Sequence, residues 1–195
     1  MKDNKSKILN FLLRNIQRES TITLLSKELR LSRVGVWKLL KKLEKEALIS
    51  LTSIGEGKTG VYSIKLNWEN PLLEKTLAVI FTQEALENQR WIENFKDLES
   101  KLSFLILYGS VLHSPKEAND IDILGIANKD NFQEIEQLIN KIQKTQIKMI
   151  HFLNFTKEEL KNELEKPNKA FIDAIKKGTI LFGQENFIKF VRGLK

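Results

Sequence analysis

The sequence predicts an α+β chain in two parts: a helical N-terminal module closed by a β-hairpin, then a small α/β layer on a mixed sheet with flanking helices. Three observations predict it. Residues 1–69 hold 14 Lys/Arg against 7 Asp/Glu, whereas residues 70–195 hold 18 of each, so the whole excess of +7 lies in the first third. Within that third, apolar residues recur at helical spacing and then switch to strand alternation around a Gly/Lys tip. Beyond it, strand and helix patterns alternate, as in an α/β layer.

A length of 195 residues suits one large domain or two small ones. Hydrophobic residues at 42% and charged residues at 29% are globular values. The absence of cysteine excludes disulfides and thiolate metal sites and is comfortable in a reducing compartment. No long apolar segment follows the N-terminus, so neither a signal peptide nor a membrane span is expected, and the default location is the cytoplasm.

Ile8, Leu9, Leu12, Leu13 and Ile16 predict an amphipathic helix over about residues 6–17. Thr23 precedes a short helix over 24–29, and Ser32 is the N-cap expected for a third helix reaching about residue 46. Val36, Leu40, Leu43 and Ala47 fall on its core face, with Arg33, Trp37, Lys38, Lys41 and Lys42 spread over the rest. Two alternating strands, 48–51 and 61–66, flank a tip over 55–60. Helix, short helix, turn, basic helix, hairpin resembles the winged helix-turn-helix family over residues 6–66. That resemblance implies a third helix entering the major groove of DNA. The DNA-binding candidates are then Ser32, Arg33, Trp37, Lys38, Lys41, Lys42 and Lys58, the basic ones as phosphate contacts. Trp37 either stacks in the groove or packs on a neighbouring helix or a dimer mate. Small winged domains also serve as protein–protein contacts.

Residues 67–70, with Pro71 at a helix start, mark the expected boundary between a 1–69 module, a linking helix over 70–99 and a 100–195 domain. Leu73, Leu77, Ile80, Phe81, Ala85, Trp91, Ile92 and Phe95 predict helix from 72 to about 98. Winged-helix regulators commonly dimerise through the helix after the wing, so the resemblance makes a homodimer plausible.

The most informative stretch is 104–127. Phe104 to Tyr108 is a continuous apolar run, as in a strand buried on both faces. Gly109-Ser110 suits a tight turn into a helix where phosphate oxygens can be held. Pro115 limits that helix to about one turn. A second strand then carries Asp120-Ile121-Asp122-Ile123. Residues i and i+2 of a strand share a face, so the two carboxylates lie roughly 7 Å apart while the isoleucines point into a core. Like charges this close call for a neutralising cation, and hard oxygen ligands suit Mg²⁺.

Apolar strand, Gly109-Ser110, a gap of this length, then Asp120-Ile121-Asp122 in a second strand resembles the DNA polymerase beta-like nucleotidyltransferases, within them the minimal nucleotidyltransferases, over about residues 100–183. The resemblance implies that Asp120 and Asp122 are catalytic and hold Mg²⁺, that Gly109 and Ser110 bind nucleotide phosphate, and that an NTP is substrate or ligand. It further implies transfer of a nucleoside monophosphate to a hydroxyl of a protein, RNA or small molecule, as in antitoxins that modify a partner toxin. One departure weighs against chemistry: the family usually carries a third carboxylate on the third strand, predicted over 147–153, where Lys148 or His151 stands instead. A histidine inside an apolar strand is more commonly a core residue than a base. His113 reads as an exposed loop residue, and Glu158, Glu159 and Asp173 read as helix surface. The alternative is a non-catalytic winged-helix transcriptional regulator whose transferase fold is a nucleotide sensor or dimer platform.

Overall fold

The computed structural model describes residues 3–54, 61–166 and 169–194. Lys58 and the hairpin tip lie outside the described residues. The chain divides into two compact units, residues 1–80 with 191–195, and residues 81–190.

The first unit contains α1 (Asn4–Arg14), α2 (Ile22–Leu29), α3 (Arg33–Lys45), β1 (Ile49–Ile54) and β2 (Val61–Leu66). Each helix starts on a side-chain oxygen that accepts from an otherwise unpaired N–H. Asp3 accepts from Ser6, Thr21 from Leu24 and Ser32 from Gly35. The cap of α2 is Thr21 rather than Thr23, so this helix begins two residues earlier than its sequence suggests. Ile8, Leu9, Leu13, Leu25, Val36, Leu40 and Leu43 are essentially fully buried and form the core of the three helices. Ala47, expected on that face, is exposed and has φ +53°. The left-handed turn there ends α3, and Leu48 takes the buried place. Strands β1 and β2 pair antiparallel from Ile49↔Leu66 to Ile54↔Val61, and a bridge from Ser20 to Ile64 extends the pairing. This is a winged-helix arrangement.

The predicted long helix is interrupted. It comprises α4 (Pro71–Leu86), α5 (Gln89–Phe95) and a 3₁₀ turn (Lys96–Leu98). Asn88 lies at the break, its amide donating to the Glu84 carbonyl at 3.2 Å, the side-chain competition with helical hydrogen bonds that asparagine offers. The division between units falls inside α4, between Ile80 and Phe81.

The second unit is built on β3 (Phe104–Tyr108), β4 (Asp120–Ile126), α6 (Phe132–Gln143), β5 (Met149–Phe155), α7 (Lys157–Glu165), α8 (Lys169–Lys177), β6 (Thr179–Phe182) and α9 (Gln184–Arg192), whose last two residues are counted with the first unit. The sheet order is β5-β4-β3-β6, with β3 antiparallel to both neighbours and β4 parallel to β5. A parallel pair needs a crossover, and α6 supplies it. Leu105, Leu107, Ile121 and Ile123 pack with Trp91, Phe95, Ile135, Ile139 and Ile142. Phe104, alternating with Leu105 along β3, instead meets Phe187 and Phe190, each with ring centroids 5.6 Å away. Helix α7 starts in a capping box between Thr156 and Glu159, and the hydrogen bond that the Glu159 carboxylate accepts from the Thr156 backbone N–H lowers its pKa below the ordinary value. Among the described residues no helix is long and apolar enough to cross a membrane.

Phe104→Ala is expected to cost about 3–5 kcal/mol of unfolding free energy in urea titrations, because a fully buried ring leaves a cavity. Ile147→Ala, at a fully exposed position, is expected to stay within about 0.5 kcal/mol of the parent.

Candidate functional site

The Asp120-Ile121-Asp122-Ile123 alternation is realised as predicted. Ile121 and Ile123 are buried, and the carboxylates of Asp120 and Asp122 are about a quarter to a third exposed. Register places Tyr108 of β3 opposite Asp122 on one side and His151 of β5 opposite it on the other. His151 is no core residue. Its ring is more than half exposed, with Nδ1 3.3 Å from Asp120 Oδ2 and 3.5 Å from Asp122 Oδ1. One ligand atom from each of the three residues lies within 4.8 Å of the others, the spacing at which they could hold a metal ion. Lys148, the other candidate for the third position, lies just before β5 and its ammonium donates to the carbonyls of Ala118 and Lys116.

The local electrostatics follow from this crowding. Partial burial, then the neighbouring charge of Asp120, raises the Asp122 carboxyl above its ordinary value, with His151 pulling the other way. Burial, then Asp122 and Asp120, pushes the Tyr108 phenol up to about 12, so it stays protonated at neutral pH.

Gly109 ends β3 with φ +79°, and Ser110 opens a single 3₁₀ turn to Leu112, the one-turn helix that Pro115 predicts. A Cβ at 109 would collide with Asp122 Oδ2 and sit 3.1 Å from its Cγ. Glycine is therefore required both by the dihedral and by the close approach. Gly109 and Ser110, with Tyr108, Leu112, His113, Asp173 and Lys177, line a cavity of about 370 Å³, at the small end of the range for ligand pockets. The aspartates are not among its walls, although Asp122 lies against Gly109. Asp173 and Lys177, an ion pair at 3.2 Å on α8, are brought here by tertiary folding. Glu158 is helix surface, as predicted.

The predicted DNA-contacting residues collect around α3. Ser32 is its cap, and Arg33, Lys38, Lys41 and Lys42 are exposed. Trp37 is half-buried, tilted against Tyr62 of β2 at 5.1 Å. Lys41 lies over the Trp37 ring at 4.8 Å and pairs with Glu44 at 2.8 Å, so part of its charge is already answered within the helix. Arg33, Val34 and Trp37 of α3 line an open groove of about 570 Å³ with Thr21, Val61 and Tyr62.

No protein-family model and no curated protein sequence matches the chain. Among solved structures the chain is similar to the crystal structure of heme sensor protein PefR from Streptococcus agalactiae in complex with heme. The identity is 15% over 73% of this chain and 72% of that one, with a TM-score of 0.34, a likeness too slight to carry an inference.

A carboxyl raised in the folded state favours folding only while protonated, and that contribution is lost as pH rises through its folded value. Asp122→Asn is therefore expected to raise the thermal midpoint at neutral pH in chelator, and to lose the gain in acid below the ordinary carboxylate range. Gly109→Ala is expected to lower the midpoint at both pH values. Melts of the two variants at the two pH values check both signs.

Proposed function

We propose that this chain binds DNA through its winged-helix unit and binds a nucleoside triphosphate with a divalent cation through its second unit. As the nucleotidyltransferase resemblance implies, the second unit would transfer the nucleoside monophosphate to an acceptor hydroxyl. The observation that carries the reading is the juxtaposition at Asp122. The Gly109-Ser110 turn lies against it, and a second carboxylate and an imidazole flank it on the same sheet face.

The donor set fits a divalent cation: two carboxylates that repel each other, partly exposed and open to water or a phosphate oxygen. A cation bound there would neutralise charge on the phosphates during displacement at the α-phosphorus. The chain's own residues have separate tasks. Ser110 and Lys177 offer a hydroxyl and an ammonium to phosphate oxygens in the cavity, and Gly109, without a side chain, leaves room beside the Asp122 carboxylate. In the transfer, a bond would form between the acceptor oxygen and the α-phosphorus as the bond to pyrophosphate breaks, and the acceptor's hydroxyl proton would leave to solvent water. On the DNA side, the one-sided basic excess and the exposed Arg33, Lys38 and Lys42 on α3 support backbone contact.

A second reading is favoured by one observation: the strand neighbour of Asp122 on β5 is His151 rather than a third carboxylate. In that reading the nucleotide is an effector of DNA binding and no transfer occurs.

Calorimetric titration of the four NTPs with divalent cation is expected to show binding that disappears in Asp120→Asn/Asp122→Asn. Lys177→Ala is expected to weaken it about tenfold, and Lys176→Ala to leave it unchanged. Failure of every nucleotide to bind the parent protein would overturn both readings of the second unit. Label from an α-³²P nucleotide appearing on an acceptor separates transfer from sensing. For DNA, affinity is expected to fall steeply with salt and to be lost in Lys38→Glu/Lys41→Glu/Lys42→Glu; an unaltered affinity in that triple variant refutes placement of α3 on the duplex.

A further inference from the structure

We infer that Asp120, Asp122 and His151 form a binding site that prefers a first-row transition-metal dication, of which Mn²⁺ is the test case, over the Mg²⁺ that paired carboxylates alone imply. The inference rests on the proposed location of the cation at these aspartates, and it holds or fails without any nucleotide.

The geometry comes first. Metal–ligand bonds of about 2.1 Å set neighbouring donors about 3.0 Å apart in octahedral and about 3.4 Å apart in tetrahedral coordination. His151 Nδ1 stands 3.3 Å from Asp120 Oδ2 and 3.5 Å from Asp122 Oδ1, so the imidazole is already at ligand spacing from both carboxylates. These donors project from strand backbone rather than from loops. Asp122 and His151 are register partners across the parallel β4–β5 pair, and Asp120 is two residues along the same face. Little rearrangement is then needed to close on an ion.

Donor chemistry comes second. Mg²⁺ takes oxygen ligands and gives up its waters reluctantly, so an imidazole in place of a carboxylate both removes a charge and offers a donor it uses poorly. Imidazole nitrogen beside carboxylate oxygen suits the first-row divalent ions better than it suits Mg²⁺; their affinity for such mixed sites rises from manganese to copper and falls again at zinc, so Mn²⁺ is the most demanding test of the preference. The exposure of His151 and of both carboxylates leaves positions for water or a phosphate oxygen, as an open site requires.

The competing account is a simple ion pair between His151 and the aspartates. A pair this exposed stabilises little, and it predicts no metal selectivity. The two accounts differ in what happens when the ring is replaced.

The experiment is titration of Mn²⁺ alone into the full chain, followed by the electron paramagnetic resonance signal of free Mn²⁺, with Mg²⁺ as competitor. The parent is expected to bind Mn²⁺ at least about tenfold tighter than Mg²⁺. His151→Ala is expected to weaken Mn²⁺ about tenfold while Mg²⁺ stays within about twofold, and His151→Asp to move the preference back toward Mg²⁺. Circular dichroism of each variant confirms that the fold is kept. Unchanged Mn²⁺ affinity in His151→Ala, or displacement of Mn²⁺ by equimolar Mg²⁺ in the parent, overturns the inference. If Mn²⁺ binds in the expected His151-dependent way but no nucleotide binds with either cation, the metal site stands and the proposed nucleotide function falls. If nucleotide binds with Mg²⁺ while His151→Ala leaves Mn²⁺ affinity unchanged, the reverse holds.

Discussion

The register of β4 between its two neighbours is the constraint on which the second unit depends. Strand side chains alternate with a period of two, so a slip of one residue would turn Asp120 and Asp122 into the core and Ile121 and Ile123 out of it. The penalty on such a slip is large, because buried carboxylates without partners cost several kcal/mol each and the isoleucines would lose their burial against α5 and α6. The same register puts Tyr108 and His151 on either side of Asp122. The placement of Tyr108, Asp120, Asp122 and His151 is thus set by backbone pairing that the apolar face enforces.

That enforcement has a local cost. Asp120 and Asp122 share one face at close range, and the raised carboxyl of Asp122 and the raised phenol of Tyr108 are two signs of the same negative field. Gly109 adds to it by bringing the backbone against Asp122, where any side chain would collide. A fold selected only for stability would place a neutral residue at 122. Unfavourable charge held in place by a well-packed opposite face is one of the observations that support the proposed ligand site.

How much of this was legible in the sequence varies with the physics involved. Local and periodic features were readable: Ser32 as a cap, the apolar run 104–108, the opposed faces of Asp120/Asp122 and Ile121/Ile123, and a single turn after Ser110 all depend on neighbours within a few residues. Misplacements arose where two local signals compete. Thr21 and Thr23 both suit a cap, Ala47 continues a helical stripe yet sits in a left-handed turn, and Asn88 breaks a pattern that hydrophobic spacing alone carries through. The histidine in β5 was misread for a different reason. Alternation along one strand says which residues share a face, but only pairing with β4 says which face holds the aspartates. Lys177 and Asp173 carried no sequence signal, since α8 reaches the Gly109-Ser110 turn only through tertiary folding.

The distribution of charge bears on how such a site can attract a nucleotide at all. The basic excess belongs to residues 1–69, and residues 70–195 are neutral overall, so no broad positive field of the second part draws in a polyanion. Beyond about 8 Å, physiological salt screens what remains. Attraction must therefore be local, and locally the largest fixed charges are two carboxylates, which repel phosphate. Lys177 supplies one positive charge, and it is shared with Asp173. A dication at Asp120, Asp122 and His151 offsets the two negative charges, whereas a third carboxylate would leave the occupied site with a net negative charge. An imidazole at that position, which ligates without adding negative charge, thus makes the proposed metal-loaded surface less repulsive to phosphate than a third carboxylate would, while offering no carboxylate for transfer. The feature that weakens the case for chemistry strengthens the case for binding.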